Sequence, residues 1–215
     1  MMRAALWDLD GTLVDSEHAH FTSWTDALAL EGYTLTRERF LETFGRRNDA
    51  TLRLLLGEDL SDTEIDRIAW AKEERYRADV RAGDAVLLPG ALAWLERLDA
   101  SGWRQAIVTS APRANAETIL DVLGIARFFG TIVAAEDVRI GKPDPQGFLL
   151  AASRLETAPE RSVVLEDAPY GLEAGRRAGM KTVAVLTTHD RLDADVVVTD
   201  LSALPADALD RLAPN

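Results

Sequence analysis

Short apolar runs rich in Val, Ile and Ala recur along the chain at Ala4 to Trp7, Gln105 to Val108, Thr131 to Ala134, Ser162 to Leu165, Thr182 to Leu186 and Asp195 to Val198. Most are near-continuous rather than alternating, the pattern of strands buried on both faces, as in a parallel sheet. Helical periodicity fills the gaps between them. Pro89 to Ser101 carries Leu92, Leu95 and Leu98 and stops at Gly102; Ala114 to Leu123 carries Ile119, Leu120 and Leu123 and stops at Gly124. Pro145 to Leu155, and Tyr170 to Ala178 ahead of Gly179, complete the series. Strand, helix, strand repeats predict βαβ units and an α/β fold.

The first connection breaks this rhythm. A βα crossover needs about a dozen residues, yet roughly 90 separate the first apolar run from the second. Those residues read as helices. Phe21, Trp24, Ala27 and Leu28 form a stripe ending at Gly32; Phe40, Leu41 and Phe44 precede Gly45; Leu52, Leu55 and Leu56 precede Gly57. Ser61 followed by Glu64 is a capping-box signature for a long helix carrying Ile65, Ile68, Ala69 and Tyr76. About four helices over residues 16–82 are therefore expected as an insertion, with 1–15 and 83–215 forming the sheet-bearing core. The tryptophans Trp7, Trp24, Trp70, Trp94 and Trp103 are expected to serve packing.

Composition narrows the chemistry. The chain has 215 residues and no cysteine, which removes thiol nucleophiles, disulfides and cysteine metal sites together. With 24 Lys+Arg against 36 Asp+Glu the net charge is −12, so a nucleic-acid backbone would be repelled and a small soluble partner is expected. The opening stretch MMRAALWDLDGTLVD is broken by Asp8 and Asp10, unlike a signal peptide, and no apolar run is long enough to span a bilayer. These features lead to the expectation of a cytoplasmic, unanchored monomer.

The candidate chemistry lies where the apolar runs end, because open α/β sheets bind ligands beyond the carboxyl ends of their strands. Asp8 and Asp10 follow the first run; residues i and i+2 of a strand project to one side, and two carboxylates forced together call for a balancing cation such as a divalent metal. Thr109-Ser110 ends the second run, offering a hydroxyl and an N–H ahead of a helix whose N-terminus should attract an anion. Gly141-Lys142-Pro143 puts a lysine in a rigid turn after the third, and Glu166-Asp167 closes the fourth. Each alone reads equally as a cap, a solvated lysine or a turn. Their joint placement at successive strand ends does not.

In this order the motifs resemble those of the haloacid dehalogenase superfamily, in the branch with an α-helical cap inserted after the first motif. Asp8-Leu9-Asp10-Gly11-Thr12-Leu13-Val14-Asp15 is similar to its first motif, Thr109 to its second, Lys142 in Gly-Lys-Pro to its third and Glu166-Asp167 to its fourth. The cap segments His18 to Trp24 and Lys72 to Tyr76 look like those of β-phosphoglucomutase-like phosphatases. The resemblance implies a Rossmann-like, three-layer parallel-sheet core with an inserted helical cap, and a Mg²⁺-dependent phosphomonoester hydrolase acting on a small phosphorylated metabolite such as a sugar phosphate. Asp8 is then the nucleophile that forms an aspartyl-phosphate and Asp10 the acid and base. Mg²⁺ falls to Asp8, the Asp10 main-chain carbonyl and Asp167, with Glu166 as an outer partner. Thr109, Ser110 and Lys142 hold the phosphate oxygens.

The same resemblance assigns substrate-facing roles in the cap to His20, Lys72 and Asn48, beside Arg46 and Arg47, and lets Asn115 reach the leaving group. Asn48 stands where the mutases carry the arginine for a second phosphate, which weakens a bisphosphate pathway unless Arg46 or Arg47 replaces it. Two rivals follow: a β-phosphoglucomutase returning the phosphoryl group to the sugar, and, more remotely, a noncatalytic aspartyl-phosphate switch like a receiver domain.

Overall fold

The protein is described by a computed structural model covering residues 2–213. In chain order, β1 (Ala4–Trp7) and a short β2 (Val14–Asp15) lead into helices α1 (Glu17–Ala29), α2 (Arg37–Leu41), α3 (Asn48–Leu56) and α4 (Asp62–Ala82). The chain returns through β3 (Val86–Leu87), which pairs antiparallel with β2. Then follow α5 (Ala91–Ala100), β4 (Arg104–Val108), α6 (Arg113–Leu123), β5 (Thr131–Val133), α7 (Gln146–Arg154), β6 (Ser162–Glu166), α8 (Pro169–Arg177), β7 (Lys181–Val185), β8 (Val196–Val198) and α9 (Ala208–Leu212).

The main sheet has the order β5-β4-β1-β6-β7-β8, parallel throughout. The period-two alternation of β1 builds both faces. Ala5 and Trp7 pack with Trp94, Leu95 and Leu98 of α5, Ile119 and Leu120 of α6 and Leu209 of α9. Ala4 and Leu6 pack with Phe148 and Ala151 of α7 and Ala174 of α8. Three layers result, helices on either side of a sheet buried on both faces, which is why the strands read as continuous apolar runs. Where polar groups enter this core they are paired: Trp7 Nε1 donates to Gln105 Oε1 at 3.0 Å, and Gln105 Nε2 donates to the Leu95 carbonyl.

The inserted helices carry their own apolar cluster, with Trp24, Leu28, Phe40, Leu52, Ile65 and Ile68 at its centre. The capping box forms as the sequence suggests: Ser61 Oγ accepts from the Glu64 N–H, and Glu64 returns a carboxylate to the Ser61 N–H. Further along α4, Tyr76 and Val80 leave that cluster and join the core beside the sheet. The long helix thus spans the seam between insertion and core.

Three details depart from the patterns. On α5 the buried positions are Ala91, Trp94, Leu95 and Leu98, the i, i+3, i+4, i+7 face, while Leu92 points to solvent. Trp70 is 67% exposed, so it does not serve packing as the other tryptophans do. The pair β2 and β3 and the five-residue α9 are too short to leave a periodic trace. Among the described residues no helix is long and apolar enough to cross a membrane.

Candidate active site

The strand order turns at β1, with β4 on one side and β6 on the other, so a crevice opens at the carboxyl ends of these three strands. Asp8 stands there, immediately after β1, and its N–H donates to the Leu165 carbonyl of β6. Lys142 Nζ reaches in from the loop after β5 and donates to Asp8 Oδ1 (2.5 Å), Glu166 Oε1 (2.6 Å) and the Val108 carbonyl of β4 (2.9 Å). The lysine therefore ties three strand ends together. Burial works against its charge, but the Asp8 and Glu166 carboxylates outweigh that and hold it firmly protonated.

Asp8, Glu166 and Asp167 bring one carboxylate oxygen each within 4.8 Å of one another. Burial pushes the Asp8 carboxyl well above the ordinary range; Lys142 opposes this, while Glu166 and Asp167 add to it. Asp167 is pushed up to about 7 by burial and by the Glu166 charge, against hydrogen bonds from Thr188 and Thr12. Three carboxylates share one ammonium, so the cluster is short of positive charge, and its hard oxygen donors suit a divalent ion such as Mg²⁺. Glu166 is the least available of the three. Oε1 accepts from Lys142, and Oε2 accepts from the Asp167 and Ala168 N–H groups.

Two glycines permit this crowding. Gly11 adopts φ +86°, and a Cβ there would lie 2.3 Å from Asp167 Oδ2. On α8, a Cβ at Gly171 would lie 1.7 Å from Glu166 Oε1. Neither position accepts a side chain without displacing an acid of the cluster.

Asp10 behaves differently from the expectation of a carboxylate pair. β1 ends at Trp7, so the i, i+2 argument does not apply, and the Asp10 side chain lies outside the acidic cluster among the described residues. A metal contact from this residue would fall to its main-chain carbonyl. Its Oδ1 accepts instead from Ser16 Oγ (2.5 Å) and Tyr76 OH (3.1 Å) and lies 3.2 Å from His20 Nε2. Burial disfavours the ion, but His20 and the Ser16 and Tyr76 hydroxyls outweigh it and hold Asp10 at about 2. Burial and the Lys72 charge hold His20 below its usual value. With Lys72 Nζ 3.0 Å from its Nδ1, the imidazole accepts there and carries its proton on Nε2, toward Asp10.

The chain of contacts continues across the seam. Lys72 Nζ donates to Glu73 Oε1 (3.0 Å), as does Asn48 Nδ2 (2.7 Å), and Asn115 Nδ2 of α6 donates to Glu73 Oε2 (2.5 Å). Asp8, Asp10, His20, Arg46, Asn48, Lys72, Glu73, Thr109 and Ser110 all line one cavity that opens to solvent, with Trp24, Phe40 and Phe44 as its apolar wall.

Other expected residues are placed as follows. Thr109 Oγ1 accepts from the Ala111 N–H and faces the cavity beside Asp8. The N-terminus of α6 does not await an external anion: the Arg113 N–H donates to both Glu136 carboxylate oxygens, at 3.0 and 3.2 Å. Arg46 lies against the Tyr170 ring and donates to its hydroxyl at 2.9 Å, whereas Arg47 donates to the Ala135 and Val138 carbonyls and does not line the cavity.

The haloacid dehalogenase-like hydrolase family profile matches residues 2–179. The chain belongs to that family. It is 34% identical over 215 residues to the validoxylamine A 7'-phosphate phosphatase of Streptomyces hygroscopicus subsp. limoneus, covering 94% of this chain and 95% of that one. It is 30% identical to the Escherichia coli fructose-1-phosphate phosphatase YqaB over 184 residues, 84% of this chain and 94% of the other. The crystal structure of β-phosphoglucomutase from Clostridium difficile superposes with a TM-score of 0.89 at 24% identity, over 99% of this chain and 97% of that one, and shows the shared fold. The enzyme is a phosphatase of the haloacid dehalogenase-like family.

In this haloacid dehalogenase-like enzyme several site residues carry no motif of their own. Ser16 and Tyr76 hold Asp10, and Glu73 gathers Asn48, Lys72 and Asn115. Thr188 Oγ1 donates to Asp167 Oδ2 at 2.6 Å, Thr187 hydrogen-bonds the Gly11 carbonyl, and His189 Nδ1 lies 3.1 Å from the Asp167 carbonyl. Thr187 to His189 follow β7, so the strand-end rule that singles out Thr109 and Glu166 also points to them. Glu73 and Tyr76 lie within the cap segment Lys72 to Tyr76, but their roles, like that of Ser16, are set by the tertiary approach of α1 and α4 to β1.

Proposed function

We propose that the enzyme hydrolyses the phosphomonoester of a small phosphorylated metabolite, most simply a sugar phosphate, through an aspartyl-phosphate formed on Asp8. The observation that carries this reading is that Asp8 and Asp10, two residues apart on one cavity wall, are held in opposite electrostatic states. One sits among acids that need a cation; the other is an ionised carboxylate held by three cap-side and loop donors. The two relatives named above are phosphatases of validoxylamine A 7'-phosphate and of fructose 1-phosphate, in keeping with this substrate class.

In the first step an Asp8 oxygen attacks phosphorus, the ester P–O bond breaks, and the leaving alkoxide takes a proton from Asp10. In the second, water attacks the aspartyl-phosphate, the bond to Asp8 breaks, and Asp10 receives the water proton as inorganic phosphate leaves. Asp10 as it stands is in the base form that the second step requires. A phosphate dianion entering beside it raises its proton affinity, so the substrate itself favours the acid form that the first step uses. Its Oδ2 accepts no hydrogen bond among the described residues and is the oxygen available for both transfers. Lys142, Thr109 and Ser110 would hold the nonbridging oxygens. Asp8, Asp167 and the Asp10 main-chain carbonyl, with Glu166 outside, would hold Mg²⁺, which would supply the positive charge that lets a carboxylate and a phosphate dianion approach. Residues 16–82 act in this reading as a cap that excludes water.

The test is a Mg²⁺-dependent panel of sugar phosphates and small phosphate esters, β-glucose 1-phosphate included, following released phosphate and isomerised sugar phosphate together. Phosphate release that EDTA abolishes is the expected result. Isomer formation without net phosphate loss would assign a mutase instead.

A further inference from the structure

Among the cavity-lining residues, Glu73 has no part in the mechanism above. It is 5% exposed, and the donors of the cap and of α6 converge on its carboxylate: Asn48 and Lys72 on Oε1, Asn115 on Oε2. These are the groups to which a role in holding the rest of the substrate falls by position, since they line the cavity away from the Asp8 cluster or flank it on α6. An anion brought to them meets a carboxylate already in their centre. Like charges at such a desolvated place repel strongly, and each donor would have to leave Glu73 to serve the newcomer. A hydroxyl donates to that carboxylate, and an ammonium pairs with it.

We infer that Glu73 is a specificity residue that restricts the enzyme to phosphomonoesters whose alcohol portion is uncharged or cationic, and excludes those carrying a carboxylate or a second phosphate. The inference rests on the phosphomonoester reading above and deepens it. It also separates hydrolysis from phosphoryl return to a sugar, because a mutase cycle must hold a bisphosphate in this cavity. Arg46 does not reverse the argument: its guanidinium lies over the Tyr170 ring and donates to that hydroxyl. Arg47 is spent on main-chain carbonyls outside the cavity.

The experiment uses the full chain with Mg²⁺ and two matched pairs that differ in one terminal group: glycerol 3-phosphate against 3-phosphoglycerate, and glucose 6-phosphate against 6-phosphogluconate. The expected result is a kcat/KM at least about tenfold higher for the uncharged member of each pair. In Glu73→Gln, which keeps the shape and removes the charge, that ratio shrinks at least about tenfold, chiefly through a lower KM for the anionic member. Asn48→Arg, which adds a cation beside Glu73, shifts the ratio the same way and decides the matter if Glu73→Gln does not fold. A purely structural role for Glu73 would lower turnover of both members alike and leave the ratio unchanged, and that outcome overturns the inference, as does equal use of both members by the wild type. Turnover of none of the four esters, or of any ester in the wider panel, overturns the phosphomonoester reading and the inference with it.

Discussion

The acids beneath the cavity and those beside it are arranged on opposite principles. Around Lys142, three carboxylates crowd one ammonium, and Asp8 and Asp167 are both pushed upward, first by burial and then by the neighbouring acids. Toward the cap the groups are paired: Asp10, His20, Lys72 and Glu73 each meet a complementary partner, and Asp10 and Glu73 are both held below their ordinary values despite burial. The first region is electrostatically incomplete and asks for a cation. The second is complete as it stands, and because Asn115 belongs to α6 while Glu73 belongs to α4, its hydrogen bonds also fasten the cap to the core. A ligand stabilises the first region and must compete with the second.

The sharpest break of this comparison is at Asp8. Asp8→Asn removes the nucleophile while relieving the crowding, so turnover falls by at least about 10⁴-fold, yet the metal-free protein melts no lower than wild type. A loss of activity accompanied by unfolding would show that Asp8 holds the fold rather than the reaction.

Next in size is the cap side, where charges are balanced in pairs. Lys72→Met leaves Glu73 buried without its ammonium and should lower stability by about 3–5 kcal/mol. The double variant Lys72→Met with Glu73→Gln removes both charges and should recover most of that loss, a coupling that urea titrations of the two singles and the double would measure. Additive effects would contradict a paired network.

The crowded region makes a pH-dependent prediction with a definite sign. Asp167 binds its proton more tightly folded, at about 7, than unfolded, near 3.8, so its contribution is fully present below the unfolded value and is lost as pH rises toward 7. In EDTA, wild type should therefore lose stability relative to Asp167→Asn between pH 5 and pH 7.5, by on the order of 2–4 kcal/mol. Taking the difference from Asp167→Asn cancels the opposing contribution of His20. Excess Mg²⁺ should remove the trend for wild type only, as thermal melts would show.

Smallest is a change remote from both regions. Ser61→Ala breaks the capping box at the start of α4 and should cost about 1 kcal/mol with kcat/KM unchanged. A larger activity loss would mean that the seam responds to the whole helix.

How legible all this was in the sequence follows the same division. The strands are buried on both faces, so their apolar runs stand out, and three of the six lead directly into a residue of the crowded cluster or its phosphate-facing neighbours: Asp8, Thr109, Glu166. Local pattern suffices there because the sheet itself gathers its own strand ends. The cap side is assembled by tertiary approach. His20, Lys72 and Asn48 are distant in the chain, and Glu73 sits between a buried lysine and an exposed glutamate with nothing in the local pattern to distinguish it. The side chain of Asp10 escapes the strand pattern for a related reason: β1 stops at Trp7, and Ser16 at the start of α1 and Tyr76 of α4, not strand geometry, aim it. Glu136, which occupies the start of α6, arrives from the loop after β5 and is likewise invisible to local spacing.

The central claim is covalent chemistry at Asp8, and its most direct test is mass spectrometry of enzyme quenched in acid during Mg²⁺-dependent turnover of the best ester from the panel. The account predicts one added phosphoryl group on the peptide that contains Asp8, absent from Asp8→Asn and increased in Asp10→Asn, where release is slowed. A phosphoryl group on another residue, or full turnover by Asp8→Asn, would contradict it.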